Sequence, residues 1–206
     1  MIPWEEIKKF LPQYLSAEST QVLLSELDRF PENIDTRLYS MKLMNEKVAF
    51  QGDILKGLPV ISLPDHTIYY NAFSMILSNT CDNDPKESRI VPRNHTYATI
   101  LTLDEIINQL KDNGEDNSRI KNFVVQLKKQ RITNLFYLPK GFGMVNESVV
   151  FLDRINSCGS PLEGERVKDM RVLCLSDYGF YLLLFKLSVH FTRIQEKVDR
   201  NAGTIH

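Results

Sequence analysis

The chain has 206 residues, 43% hydrophobic and 25% charged, which is the balance of a globular protein that needs neither disulfides nor a metal to fold. Its formal net charge of −1 argues against a nucleic-acid scaffold with a uniformly basic surface, but it leaves room for a local basic patch. No run approaches the roughly 18 apolar residues of a membrane span, and the 3 cysteines are too widely spaced for a disulfide framework. We therefore expect a cytoplasmic protein without membrane attachment.

Two short amphipathic helices are predicted at the start of the chain. Pro3 suits the first turn of the first helix. Ser16 is a suitable N-cap for the second helix, which should end at Pro31. Residues 31–47 show no sustained period and are predicted to form a connecting arm. The segment 1–47 is thus expected to be a helical arm and linker that docks on the rest of the chain or on another subunit.

Beyond Val48 the pattern changes to short β-prone runs separated by turns. Thr102 and Glu105 have the spacing of a capping box, and Ser118 is expected to cap a second helix, so a helical insertion is predicted over 104–133. The strand-like runs are 48–61, 72–78, 96–103, 135–139, 148–155 and 170–176.

The last predicted element is a long helix. Ser176 and Asp177 form its start, and apolar residues follow the 3.6-residue period as far as Val198. Short strands joined by turns, rather than by regular helices, favour an α+β fold over a doubly wound one. We predict a small SH3-like barrel or a strongly bent antiparallel sheet over 48–206, with an inserted helical pair, the N-terminal helical arm and a long C-terminal helix.

The run Ser78-Asn79-Thr80-Cys81-Asp82-Asn83-Asp84, which follows an apolar strand, is the densest polar segment attached to the predicted sheet. One interpretation makes Cys81 a nucleophile, with Asp82 and His95 as its partners. Against it, an adjacent carboxylate raises the pKa of a thiol, which is the wrong direction for activation. The ordinary alternative is that Cys81 is a small buried apolar residue.

Two further interpretations of this segment do not involve the thiol. Asp82 and Asp84 could share a magnesium ion, or they could simply close a turn before Pro85. Alternatively, Ser78, Asn79, Thr80 and Asp82 could satisfy the backbone groups at the end of the strand. We favour this last interpretation, which also suits a binding site because a fixed polar network at a rim can recognise a ligand.

The order of the elements resembles the PemK/MazF toxins. The resemblance is carried by "QGDIL", by the apolar strand ending in Leu77-Ser78-Asn79, by the run from Tyr97 to Leu103 and by "VLCLSD" before the last helix. It implies an SH3-like barrel and metal-independent cleavage of RNA, with an arginine and a threonine or serine in the active site. The chain is also similar to a diffuse group of bacterial proteins that share the Thr-Cys-Asp strand end.

The catalytic residues of that family carry over in part. Asn71 and Ala72 stand where the family has an arginine-proline pair, so the cation would have to be Arg89 or Arg93. Asp82 or His95 would then act as acid or base. Thr99 or Thr102 would supply the hydroxyl.

A basic helix is the other candidate binding surface. Five positive residues lie on or beside 118–131, and Lys121, Lys128 and Arg131 are spaced to share a face that would suit phosphates. Our favoured function is a non-enzymatic binding module that recognises a protein partner or a single-stranded nucleic acid at Ser78–Asp84. The alternative is a toxin-type endoribonuclease. No cofactor is expected, and a homodimer is compatible with the sequence.

Overall fold

The computed structural model describes residues 16–62, 64, 67–88, 90–159 and 162–192. Among these residues it has six α-helices and nine strands, and the α+β class is confirmed. The helices are α1 (Ala17–Asp28), α2 (Thr80–Asn83), α3 (Leu103–Asp112), α4 (Asn117–Lys128), α5 (Gly164–Met170) and α6 (Asp177–Thr192). The strands are β1 (Tyr39–Ser40), β2 (Ile54–Lys56), β3 (Val60–Ser62), β4 (Thr67–Tyr69), β5 (Phe73–Ile76), β6 (His95–Thr102), β7 (Leu135–Leu138), β8 (Ser148–Cys158) and β9 (Arg171–Leu175).

Seven of the strands form one antiparallel sheet in the order β1-β9-β2-β5-β6-β8-β7. The sheet curls into a half-barrel, which confirms the prediction of a strongly bent antiparallel sheet. A register shift between Ala98 and Thr99 interrupts the β6–β8 ladder, and such bulges increase the local twist of a strand. The two edges approach each other where the Tyr39 hydroxyl donates to the carbonyl oxygen of Pro139, at 2.6 Å.

The main hydrophobic core lies between one face of the sheet and helices α1 and α6. Leu23 and Leu27 of α1 pack in the same core as Leu173 of β9 and Leu183 of α6, so the N-terminal helix is part of this core. Gly179 allows α6 to approach closely, because a Cβ atom there would lie 2.2 Å from the carbonyl oxygen of Leu38.

Two smaller cores cover the opposite face of the sheet. At one end of β6, Tyr97 packs with Leu55 and with Val167 of α5. Toward the other end, the inserted helices α3 and α4 bury Ile106 and Leu127 against β7 and β8. The hairpin β3–β4 forms a separate two-stranded sheet at the Tyr97 end. The two ends of β6 therefore carry different additions to the sheet.

The helix starts confirm most of the capping predictions. Ser16 accepts a hydrogen bond from the backbone of Ser19, and Thr102 with Glu105 forms the complete capping box. One prediction was wrong, because Asp116 rather than Ser118 caps α4. The Asp116 carboxylate accepts from two backbone amides of the first turn, whereas a serine at position 118 is already inside the helix.

Some expectations fall outside the described residues, namely the first predicted helix within 1–15 and the last helix beyond Thr192. The stretch 31–47, expected to be a connecting arm, contributes strand β1 to the sheet. No described helix is both long enough and apolar enough to cross a membrane.

A buried ion pair links β9 to the turn before β2. The Arg171 Nε atom donates to the Asp53 carboxylate at 2.9 Å, and both side chains are almost completely buried. The remaining guanidinium nitrogens donate to the carbonyl oxygens of Met44, Glu46 and Val48. Arg171 thereby fixes the loop between β1 and β2 to the sheet.

Candidate functional site

The segment Ser78–Asp84 forms a compact corner between β5 and β6. The Asn79 side chain accepts from the backbone amide of Cys81 at 2.9 Å and caps the single turn of α2. The Thr80 hydroxyl accepts from the amide of Gln51 at 3.1 Å, and the Ser78 hydroxyl accepts from the backbone of β6. These contacts confirm for Ser78, Asn79 and Thr80 the prediction that the polar residues satisfy backbone groups here, and they do not test it for Asp82.

Asn83 is the centre of this corner, a position that its place in the sequence did not predict. It is buried, and its Oδ1 atom accepts from the Ser78 hydroxyl at 2.9 Å. Its Nδ2 atom donates to the carbonyl oxygen of Ala49 at 3.0 Å. The same Oδ1 atom lies 2.9 Å from the Nδ1 atom of His95. Asn83 therefore joins three separate segments of the chain.

His95 is held at both ring nitrogens. Because the Asn83 Oδ1 atom can only accept, the His95 proton lies on Nδ1, and Nε2 accepts from the amide of Leu162 at 3.3 Å. Burial, followed by the positive charge of Arg93, lowers the pKa of His95. The imidazole is 2% exposed and is neutral at physiological pH. This geometry favours a positioning role for His95 over the acid or base role expected from the sequence.

A partly open cleft of about 230 Å³ lies beside this network. It forms where the loop before β6 meets the loop after β8, since His95 pairs with Cys158 in the sheet register. The cleft is lined by Asn83 of the corner, by His95 of β6, and by Pro92, Arg93, Gly159, Leu162 and Glu163 of the two loops.

Arg93 is the cation of the cleft. Its Nη2 atom donates to the carbonyl oxygen of Glu87 at 2.6 Å, which fixes the guanidinium. Its Nε atom is covered and has no hydrogen-bond partner within the described part of the chain. Arg166 and Glu163 also act electrostatically on His95, so two of the three charged groups here are positive. The cleft itself is lined by one positive residue, Arg93, and one negative residue, Glu163, so an anionic group would bind on its Arg93 side.

Other residues predicted for this site are placed differently. Cys81 is exposed, so the expectation that it is a small buried residue was wrong. It lies on the first turn of α2, a short helix on the surface. Asp82 is also exposed and does not line the cleft. Arg89 lies outside the described residues. Of the predicted catalytic set, the structure brings Arg93 and His95 together and leaves Asp82 outside.

The basic residues of the inserted helix lie far from this cleft. His95, at the cleft, and Thr102, at the start of the inserted helices, are at opposite ends of β6. At 3.3–3.4 Å per residue, about 23 Å separates them. Lys128 pairs with Glu147 at 2.6 Å, and Glu147 also accepts from the Tyr137 hydroxyl. Arg131 follows the end of α4 and contacts Gln126, while Lys121 is exposed. The predicted binding residues thus form two separate surfaces.

The described residues contain no group of three or more histidine, cysteine or acidic side chains arranged to hold a metal ion. Asp84 accepts from the amide of Lys86 at 2.9 Å, as expected for a residue that closes the turn around Pro85.

The fold and the cleft together define a class of protein. The chain is an α+β protein built on a curled antiparallel sheet, with a cleft between two loops at one end. No protein-family model matches the chain, and no curated protein is significantly similar to it. The resemblance to the PemK/MazF toxins therefore stays a prediction.

Proposed function

We propose that this chain is a non-enzymatic binding module that recognises a protein partner at the cleft around Arg93. The recognised segment presents a carboxylate next to apolar side chains. The observation that carries the proposal is Arg93, which lines an open cleft and whose guanidinium is held in place by the carbonyl oxygen of Glu87. The proposed place of action is a bacterial cytoplasm, whose reducing conditions suit the three free cysteines.

Arg93 is arranged to gain from an acidic ligand. A hydrogen bond to a charged group contributes about 1.5–3 kcal/mol. Because the Glu87 carbonyl already fixes the guanidinium, little side-chain entropy is lost when the ligand binds.

The rim of the cleft favours a protein over a nucleic acid. Ile90 is fully exposed and Val91 is 73% exposed, and both precede Pro92 of the cleft wall. Such apolar side chains suit contact with another protein. By contrast, Lys128 on the basic helix is already paired with an acid, and Arg119 of the same helix is paired with Glu115.

The arrangement also favours binding over RNA cleavage. A toxin-type ribonuclease needs a group beside its arginine that can give or take a proton. Neither acid nor base predicted from the sequence is free for this role, since both nitrogens of His95 are engaged by hydrogen bonds and Asp82 lies outside the cleft, whose one lining carboxylate is Glu163. Cleavage of RNA is therefore the alternative function that the experiment must distinguish from binding.

The experiment measures binding of a panel of fluorescent hexapeptides, each with one glutamate between leucines, and of a matched panel with glutamine. We expect the glutamate peptides to bind and the Arg93→Gln variant to lose at least tenfold in affinity, since about 1.4 kcal/mol corresponds to tenfold. Nuclear magnetic resonance should place the shifted amides at Gly159 and Leu162. Lys121→Gln, at the other end of the sheet, is the matched control and should bind as the unchanged protein does.

The same proteins are incubated with a labelled single-stranded RNA. Cleavage by the unchanged protein that is lost in Arg93→Gln would replace the proposal with the ribonuclease alternative. Binding of RNA that is lost in Lys121→Gln would move recognition to the basic helix. Glutamate peptides that fail to shift the Gly159 and Leu162 amides would also contradict the proposal.

A further inference from the structure

The hairpin β3–β4 exposes an unusual amount of apolar surface. Val60 packs into the core beneath it. The exposed side chains range from 45% exposed for Ile61 and Ile68 to 62% for Tyr70, and Tyr69 lies between these values. Ile61 and Ile68 are directly opposite in the register, so they share one face of the hairpin.

The backbone of β4 presents an open edge. The amide of Ile61 donates to the Asn156 side chain at 2.9 Å, so it points away from β4. In an antiparallel pair, hydrogen-bonded and non-hydrogen-bonded positions alternate. The Ile61–Ile68 position is therefore non-hydrogen-bonded, and the N–H and C=O groups of Ile68 point outward from the hairpin.

This edge lacks the charged and proline residues that keep edge strands apart, and only its length of 3 residues limits pairing. Natural edges carry lysine, proline or inward-pointing charges that discourage pairing with another strand. The sequence 67–71 is Thr-Ile-Tyr-Tyr-Asn, with no charge and no proline. A neutral, β-prone edge of this kind is suited to pairing with another strand.

We propose that β4 pairs antiparallel with β4 of a second copy of this chain, on a twofold axis at Ile68. Two outward groups on one residue are self-complementary, because each Ile68 then donates to and accepts from the other. The pairing joins the two hairpins into a four-stranded sheet. Its apolar face is a continuous row of Ile61 and Ile68 from both copies. This inference is independent of the function proposed for the cleft.

The size of the surface sets the strength of the dimer. Pairing along the edge covers little more than the two Ile68 side chains and the strand backbone, because Ile61 lies one strand farther from the axis and Tyr69 is on the other face of the hairpin. The buried area is therefore well below the roughly 1,200 Å² of a stable interface. We therefore expect a weak dimer that forms as the protein concentration rises.

Sedimentation velocity over three decades of protein concentration tests the proposal. We expect the unchanged protein to shift from monomer to dimer, and Ile68→Lys to stay monomeric because the axis would bring two like charges together. Val125→Lys is the matched control, since Val125 is β-branched and 48% exposed on α4, and it should dimerise normally. Circular dichroism confirms that each variant is folded.

A second measurement tests the register. Ile68→Cys in a Cys81→Ser background should form a disulfide dimer on mild oxidation, because hydrogen-bonded antiparallel pairs have Cα atoms about 5.5 Å apart. Val125→Cys in the same background should not. The proposal would be overturned if the protein stayed monomeric at every concentration, or if the dimer still formed in Ile68→Lys. In the first case, a strand of another protein would be the remaining candidate to pair with this edge. Equal oxidation at positions 68 and 125 would also overturn the proposal.

Discussion

Two arginines show how this molecule separates a structural cation from a cation suited to binding. Arg171 lies in the interior, and its guanidinium donates to one carboxylate and three carbonyl oxygens. Arg93 lies in the wall of a cleft and donates to one carbonyl oxygen, while its Nε atom has no partner among the described residues. The face of Phe50 also lies 5.7 Å from the Arg171 guanidinium.

The two arginines differ in how many of their hydrogen-bond donors are used, as well as in how deeply they are buried. A buried guanidinium whose donors are all used has no capacity left for a ligand, and its removal leaves its partners without hydrogen bonds. A guanidinium with one anchor in the wall of an open cleft keeps its orientation and its capacity to bind. We therefore expect Arg171 to contribute mainly to stability, while the geometry of Arg93 suits the recognition proposed for it.

The largest expected effect follows from removing the saturated cation. Arg171→Met leaves the Asp53 carboxylate buried without its partner and should cost about 3–5 kcal/mol of unfolding free energy. Arg93→Met removes one hydrogen bond to Glu87 and should cost about 1 kcal/mol or less. Urea unfolding followed by circular dichroism measures both variants. Equal losses in the two variants would remove the distinction between the two arginines.

Lys186 is a third cation, and among the described residues it donates fewer hydrogen bonds than Arg171 and more than Arg93. Unlike an arginine, it can lose its proton in an accessible pH range, so its contribution to stability depends on pH. Its ammonium is buried on α6 and donates to the carbonyl oxygens of Gln130 and Ile132, which follow the end of α4. Burial lowers the pKa of Lys186 to about 8, against an ordinary value of about 10.4. Between these two pH values the unfolded chain binds more protons than the folded protein. The contribution of Lys186 to stability therefore rises with pH across this window, by about 3 kcal/mol.

The measurement is the difference in unfolding free energy between the unchanged protein and Lys186→Met, taken from pH 7 to 10.5. Buried tyrosines and Cys174, whose pKa values burial raises, affect both proteins equally and cancel in this difference. We expect the variant to lose stability relative to the unchanged protein as the pH rises. A difference that stays flat would show that the buried ammonium keeps an ordinary pKa.

Much of the fold could be predicted from the sequence because its signals are local. The buried strand at 72–78, the capping box at Thr102 and the closing helix from Ser176 each depend on neighbouring residues. The α4 start was predicted two residues late, because Asp116 and Ser118 are both suitable caps and only the structure distinguishes them.

The candidate site could be predicted only in part, because its geometry is not local. The corner was found from its polar residues, but the cleft depends on the pairing of His95 with Cys158, which brings two distant loops together. No pattern in the sequence shows that Asn83 faces His95, or that Arg171 reaches Asp53 across 118 positions. The burial of Cys81 was predicted wrongly, because Cys81 follows a buried strand in the sequence but lies on a helix turn at the surface.

The smallest effect concerns the frame of the cleft. Asn83→Ala removes the acceptor of His95 Nδ1 and the donor to Ala49, both of them buried, and should cost about 2 kcal/mol. Asn79→Ala, which removes one exposed capping bond on the same short helix, is the matched control and should cost about 1 kcal/mol. Thermal unfolding measures both variants. In Asn83→Ala, His95 loses the hydrogen bond that fixes its proton on Nδ1, so the resonances of its ring should change in a nuclear magnetic resonance spectrum. In Asn79→Ala the same resonances should stay constant. Unchanged His95 resonances in both variants would show that Asn83 does not orient the imidazole, and the cleft would then depend on its two loops alone.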